Sequence, residues 1–149
     1  MRQWLAIALA LLGAAPAAAA PAAEEVLRGF HLFGTWAVDC GKPASPANPH
    51  VSDANPSPGL LVEDHDLGPA GDVNRYTIVS AEKLSDTRLS MLVIFQPGKP
   101  GEERQRLELL MRDGTRRTMV NEPEGGPPRV QDGVVVGYGI KTPVLRKCD

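Results

Sequence analysis

The chain has 149 residues, 42% of them hydrophobic and 23% charged, with 16 Lys and Arg against 18 Asp and Glu. That length predicts one domain with one modest core. The slight acidic excess argues against nucleic acid as the main partner, because phosphate binding needs a basic surplus on some face.

Met1-Arg2 supply a positive charge, Leu5 to Leu12 an apolar run, and Ala14 to Ala23 a series of small residues. This is the pattern of a cleavable secretory signal over residues 1–20, with the cut falling between 19 and 23. Pro21 disfavours cutting after Ala20, so Ala17-x-Ala19 and Ala20-x-Ala22 are the better sites. A membrane anchor is the rival reading, but the apolar run is short of the roughly 20 residues a spanning helix needs, and Pro16 follows it. Nothing downstream is long and apolar enough to span, so the mature form is expected to have no membrane span. The predicted location is periplasmic or secreted.

Residues 24–149 then form a single domain. Its two cysteines, Cys40 and Cys148, lie far apart without C-x-x-C spacing, and in an exported chain such a pair is expected to form a disulfide. Two free thiols are the alternative. A bridge closing so long a loop contributes up to about 5 kcal/mol in the chain-entropy model.

Glu24 to Leu32 reads as a lead-in or a single frayed helical turn, with Gly29 as a breaker. Phe33 to Cys40 alternates, placing Trp36, Val38 and Cys40 on the core face of a first strand. Five prolines between Gly41 and Gly59 predict a long surface loop over 41–59. Leu60 to Glu63 reads as a short strand and Asp64 to Asp72 as a turn-rich connection.

Beyond Val73 the pattern tightens. Tyr76 and Ile78, then Leu89, Met91, Val93 and Phe95, give the apolar faces of a hairpin turning near Leu84 to Thr87. Helix and strand compete over Glu102 to Arg112. Asp113-Gly114 decides for a two-residue hairpin pairing Arg112 with Thr115. That register puts Leu107, Leu109, Met111, Val120, Thr118 and Arg116 on the core face. The same device recurs at Asp132-Gly133. Gly137-Tyr138-Gly139 reads as a bend, and Val144 to Cys148 as a last strand.

The total is an all-β fold, a small antiparallel β-barrel meander of roughly eight or nine strands, with one disulfide between the first and last strands. If both cysteines end their strands and direction reverses at every connection, an odd count is required.

Gly34-Thr35-Trp36 resembles the G-x-W signature on the first strand of lipocalins and avidin-like proteins. That resemblance implies that Trp36 packs across a closed barrel end, with Arg116 or Arg146 lying over it as a cation–π partner. The chain as a whole also resembles small periplasmic proteins of proteobacteria, which implies no function.

Catalytic signals are sparse. His31, His50 and His65 are the only histidines, all in predicted loops or lead-ins, and no nucleophile-elbow sequence accompanies them. Asp64, His65, Asp66 and Asp72 form the weak candidate for a metal loop, against a solvated turn. Copper handling by Met91, Met111 and Met119 competes with plain packing. Arg104, Arg106, Arg112 and Arg117 form a basic stripe interrupted by glutamates, as solvated strand faces do. The sequence calls for no cofactor. The function it favours is non-enzymatic binding or interaction, with a small apolar ligand or an envelope protein as partner. The alternatives are a metal-binding protein or hydrolase working through the Asp64–Asp72 loop, and a structural envelope protein without ligand.

Overall fold

The computed structural model describes residues 19–148, so the predicted signal segment up to residue 18 lies outside the described residues. One helix, α1 (Ala19–Gly29), precedes the strands β1 (Gly34–Ala37), β2 (His50–Ser57), β3 (Leu60–Asp66), β4 (Asn74–Ser85) and β5 (Arg88–Phe95). They are followed by β6 (Glu103–Arg112), β7 (Thr115–Pro123), β8 (Val130–Gln131), β9 (Val134–Val135), β10 (Ile140–Lys141) and β11 (Leu145–Cys148). Strands β1 to β7 pair antiparallel in chain order, and β11 joins β7 to β1. The result is a closed eight-strand barrel. The three two-residue strands β8, β9 and β10 form a side extension attached to the far end of β7.

Both Asp-Gly hairpins form as the turn chemistry dictates. Arg112 faces Thr115, with Asp113 at φ 51° and Gly114 at φ 71°, while Gln131 faces Val134 across Asp132 and Gly133 with the same pair of angles. Two positive φ values in succession define the type I′ turn, whose twist matches that of the strands it joins. Along β7 the pairing shifts by one at Met119, so Glu108 faces Val120 and Leu107 faces Asn121. This bulge moves Asn121, not Val120, onto the interior face with Arg116.

Two local expectations are corrected. The proline-rich stretch is not one surface loop, because residues 50–57 form β2. Ala54 faces Val62 and Ser57 faces Leu60, so Asn55 and Pro56 sit opposite Leu61 alone in a bulge, where the missing proline N–H breaks no ladder bond. The remaining turn, 41–49, is tied down by the buried Asn48. Its Oδ1 accepts from Asp39 N at 2.8 Å, and its Nδ2 donates to the carbonyls of Asp39, Lys42 and Pro43. Gly68 closes against it so tightly that a Cβ would stand 2.5 Å from Ala44 O.

The lead-in is also more than a frayed turn. Alanine-rich sequence favours helix, and Ala23 and Leu27, four apart, share a face and are buried. Nor does Gly29 stop the chain. Leu32 N donates to Leu27 O and His31 N to Arg28 O, with His31 at φ 53°, which is a Schellman cap whose left-handed residue is His31. Leu27 and Leu32, the apolar pair of that cap, are both 0% exposed.

Ala23, Leu27 and Leu32 belong to one cluster with Trp36, Leu61, Leu89, Met91, Val93, Leu107 and Leu109. The helix therefore covers the barrel end where β1 begins, and the lower interior is filled. Met91 and Met111 are buried within the same cluster, as packing residues are.

The Cys40–Cys148 disulfide is present, with Cα atoms 5.6 Å apart. The odd-strand argument does not hold, since eight strands close the barrel and Cys148 lies opposite Thr35 on β1. Cys40 lies beyond the end of β1, where the chain bends at Val38 and doubles back to Cys148, so strand parity places no constraint on the bridge.

Candidate functional site

The strand alternation that lays down the apolar cluster also carries charge inward. On β2, Val51 and Asp53 point in; on β3, Leu61 and Glu63 do. Asp53 and Glu63 are register partners, so two carboxylates stand side by side in the interior. Like charges directly opposite are destabilising. The structure resolves this with Arg116 from β7, whose Nη1 donates to Asp53 Oδ2 at 2.7 Å and whose Nη2 donates to Glu63 Oε2 at 2.8 Å. All three side chains are almost fully buried. His65 Nε2 lies 2.6 Å from the second oxygen of Glu63, and its ring sits 5.0 Å from that of Tyr76.

The two acids divide the charge between them. Burial pushes the Asp53 carboxyl well above the usual range, and the neighbouring Glu63 charge adds to this against the opposing pull of Arg116. Burial also acts on Glu63, but there the Arg116 charge and the His65 hydrogen bond outweigh it and hold the group well below its ordinary value. Arg116 thus bonds to both carboxyls, which their surroundings shift in opposite directions, Asp53 up and Glu63 down. Asp53 Oδ1 has no hydrogen-bond partner among the described residues. Farther up, Gln105 donates to Glu103 Oε1 at 2.7 Å and accepts from Asn121 Nδ2 at 3.1 Å.

A recess of about 200 Å³ adjoins this network, walled by Pro49, Val51, His65, Arg116, Asn121 and Leu145. These residues come from the start of β2, the end of β3, the two ends of β7 and the start of β11, so the recess lies toward the rim away from α1. It opens where the wall is incomplete: β11 pairs with β7 only at Thr115 and Arg116, and β8 takes over at Asn121.

The residues singled out from sequence fall as follows. Trp36 is 2% exposed within the core cluster, and its Nε1 donates to Leu32 O at 2.8 Å. The cation over its ring is Lys147, with Nζ 5.4 Å from the centroid and also donating to His31 O, rather than Arg116 or Arg146. Arg116 is committed to the carboxylates, and Arg146 is exposed on β11. Asp64 and His65 are strand residues of β3, not part of a loop. Asp64 makes a two-bond pair with Arg75, His65 engages Glu63, and Asp66 accepts from Gly68 N, while Asp72 is exposed. Among the described residues, no three His, Cys, Asp or Glu side chains converge to hold a metal ion.

Sequence reasoning missed Asp53, Glu63, Gln105 and Asn121. The signal for the first two was there: carboxylates at period two behind Val51 and Leu61, on the face that carries apolar residues, matched by an arginine on the core face of β7. No family model matches the chain, and no curated protein and no solved structure matches it.

Proposed function

We propose that the chain is a non-enzymatic binding or interaction protein of an oxidising compartment, periplasmic or secreted. In this reading a signal cut between residues 19 and 23 releases one barrel domain. Both favoured sites, after Ala19 and after Ala22, leave Ala23 and Leu27 to cover the floor. The disulfide supports the compartment. Gly34-Thr35-Trp36 on the first strand of an eight-strand barrel supports a lipocalin-like scaffold. Contact with ligand falls at the recess rather than beside Trp36, because the cluster around the indole leaves that end filled.

One observation carries the reading: a buried arginine, with carboxylates behind it, forms part of the wall of an open recess beside the packed apolar cluster. Small-molecule sites are concave and combine apolar walls with a few placed polar groups. Amide chemical-shift mapping of the oxidised mature chain against a library of small fragments tests it. Hits are expected to move Val51, Thr118, Asn121, Val130 and Leu145; hits centred on Trp36 and Leu109, or none at all, count against it.

A second reading, contact with an envelope protein, is favoured by a different observation. Val136, Tyr138, Ile140 and Val144 are 46%, 79%, 62% and 53% exposed along one short stretch of the β8–β10 extension and its exit. Contiguous exposed apolar surface marks interaction sites. On this reading Tyr138→Ser with Ile140→Ser abolishes association with the partner while leaving fragment binding at the recess unchanged.

A further inference from the structure

The charge around the recess is lopsided. Its wall contains Arg116, Arg117 and His65 and no acidic side chain, in a protein whose net charge is −2. Behind the wall, Glu63 and Asp53 both bond to Arg116. Arg117 has no such counterpart. Its Nε donates to Thr142 Oγ1 at 3.2 Å and its Nη2 to Gly133 O at 2.6 Å, both neutral acceptors, and it makes no salt bridge among the described residues. The guanidinium is also fixed in place: a Cβ at Gly133 would meet it at 2.7 Å, so the glycine of the second Asp-Gly turn is shaped around it. Thr142 is held in turn by donating to Thr118 O at 2.7 Å. A half-buried cation clamped by neutral groups, with Nη1 uncommitted, is preorganised to meet an anion rather than free to find one in solvent.

The rest of the wall limits the size and shape of that anion. Pro49, Val51, Val130, Pro143 and Leu145 are apolar. A volume of about 200 Å³ lies under the roughly 300–1,000 Å³ of sites for larger ligands. From these observations we infer that the recess binds a small carboxylate with an apolar body, its charge on Arg117 at the gap between β11 and β8. The carboxylate can come from a free acid or from the C-terminus of a peptide chain. This inference deepens the proposed function and rests on it.

The test is titration of the oxidised, isotope-labelled chain with benzoate, with its neutral isostere benzamide, and with a short apolar peptide carrying a free or an amidated C-terminus. Benzoate is expected to shift the amides of Arg117, Thr118, Val130, Thr142 and Leu145, and benzamide to bind at least about tenfold more weakly. Arg117→Gln should weaken benzoate by a similar factor, and Arg117→Lys should restore part of it. Tighter binding of the free peptide than of benzoate identifies a chain terminus as the source, and the reverse order a free acid. Benzamide binding at the same residues as well as benzoate overturns the anionic class while leaving the recess a binding site. No shift at those residues with any probe overturns both. Because the benzoate and benzamide comparison is made on the wild-type chain, the outcome does not depend on any variant folding.

Discussion

Two sets of inward side chains in the barrel interior solve the same packing problem by opposite means. At the end where β1 begins, α1 and Leu32 lie over Leu61, Leu89, Met91 and Leu109, and the only buried polar group of the indole, Trp36 Nε1, finds the Leu32 carbonyl. Beside this cluster, strand positions of the same inward phase carry Asp53, Glu63, Gln105, Arg116 and Asn121. Apolar filling tolerates local imperfection, because each lost contact costs a little. A buried charge network does not, because removing one member leaves another without compensation. The apolar cluster is thus built for stability, and the polar network holds defined groups at the edge of an opening.

Breaking the network should have the largest effect. Arg116→Met leaves Glu63 ionised in the interior with only His65 as partner, and a loss of about 3–5 kcal/mol is expected in denaturant unfolding. In the apolar cluster Leu109→Ala opens a cavity in a site with 0% exposure. There the expected loss is about 2–4 kcal/mol, with shift changes confined to the floor residues and none at His65 or Asn121.

Trp36→Phe sharpens the contrast. It keeps the ring in the cluster but leaves the Leu32 carbonyl without its donor and weakens the Lys147 contact. A loss of about 1–2 kcal/mol is expected, read from the same unfolding curves.

The smallest effect at neutral pH, and the most telling in its pH dependence, is that of Asp53→Asn. Asparagine can accept from Arg116 and donate to Glu63, as the protonated acid does, so the change near neutrality should be within about 1 kcal/mol. The folded-state pKa of Asp53 lies above its unfolded value. Its proton therefore favours the folded chain, fully so below the ordinary aspartate range, and that contribution is lost as pH rises through the raised value. The variant has no proton to lose there, so its stability relative to wild type should climb with pH. Glu63 has the opposite sign: its contribution is present above the ordinary glutamate range and fades as pH falls. Glu63→Gln should accordingly cost most at neutral pH and least in acid.

Much of the barrel could be read from the chain because its turns are coded locally. Asp113-Gly114 and Asp132-Gly133 specify hairpin geometry without outside help, and the alternation of Leu89, Met91 and Val93 declares an inward face. What escaped was encoded in bulges and long-range pairing. Nothing near Pro56 announces that the proline will sit opposite a single residue, so a proline-rich stretch passed for loop when half of it is strand. The slip at Met119, which exchanges Val120 for Asn121 on the inner face, depends on pairing with β6. The site was harder still. Arg116 could be placed on the core face, but its partners lie 63 and 53 residues away and become visible only once β2 and β3 are known to be neighbours.

The central claim is that the polar network is organised by one buried arginine between two unlike carboxyl groups. Side-chain carboxyl titration by carbon-detected NMR of the oxidised chain tests it most directly. Asp53 should remain protonated well above the ordinary aspartate range while Glu63 stays ionised throughout the accessible acid range. Two carboxyls titrating together near their ordinary values would contradict it, and the network would then be solvated rather than a constructed site.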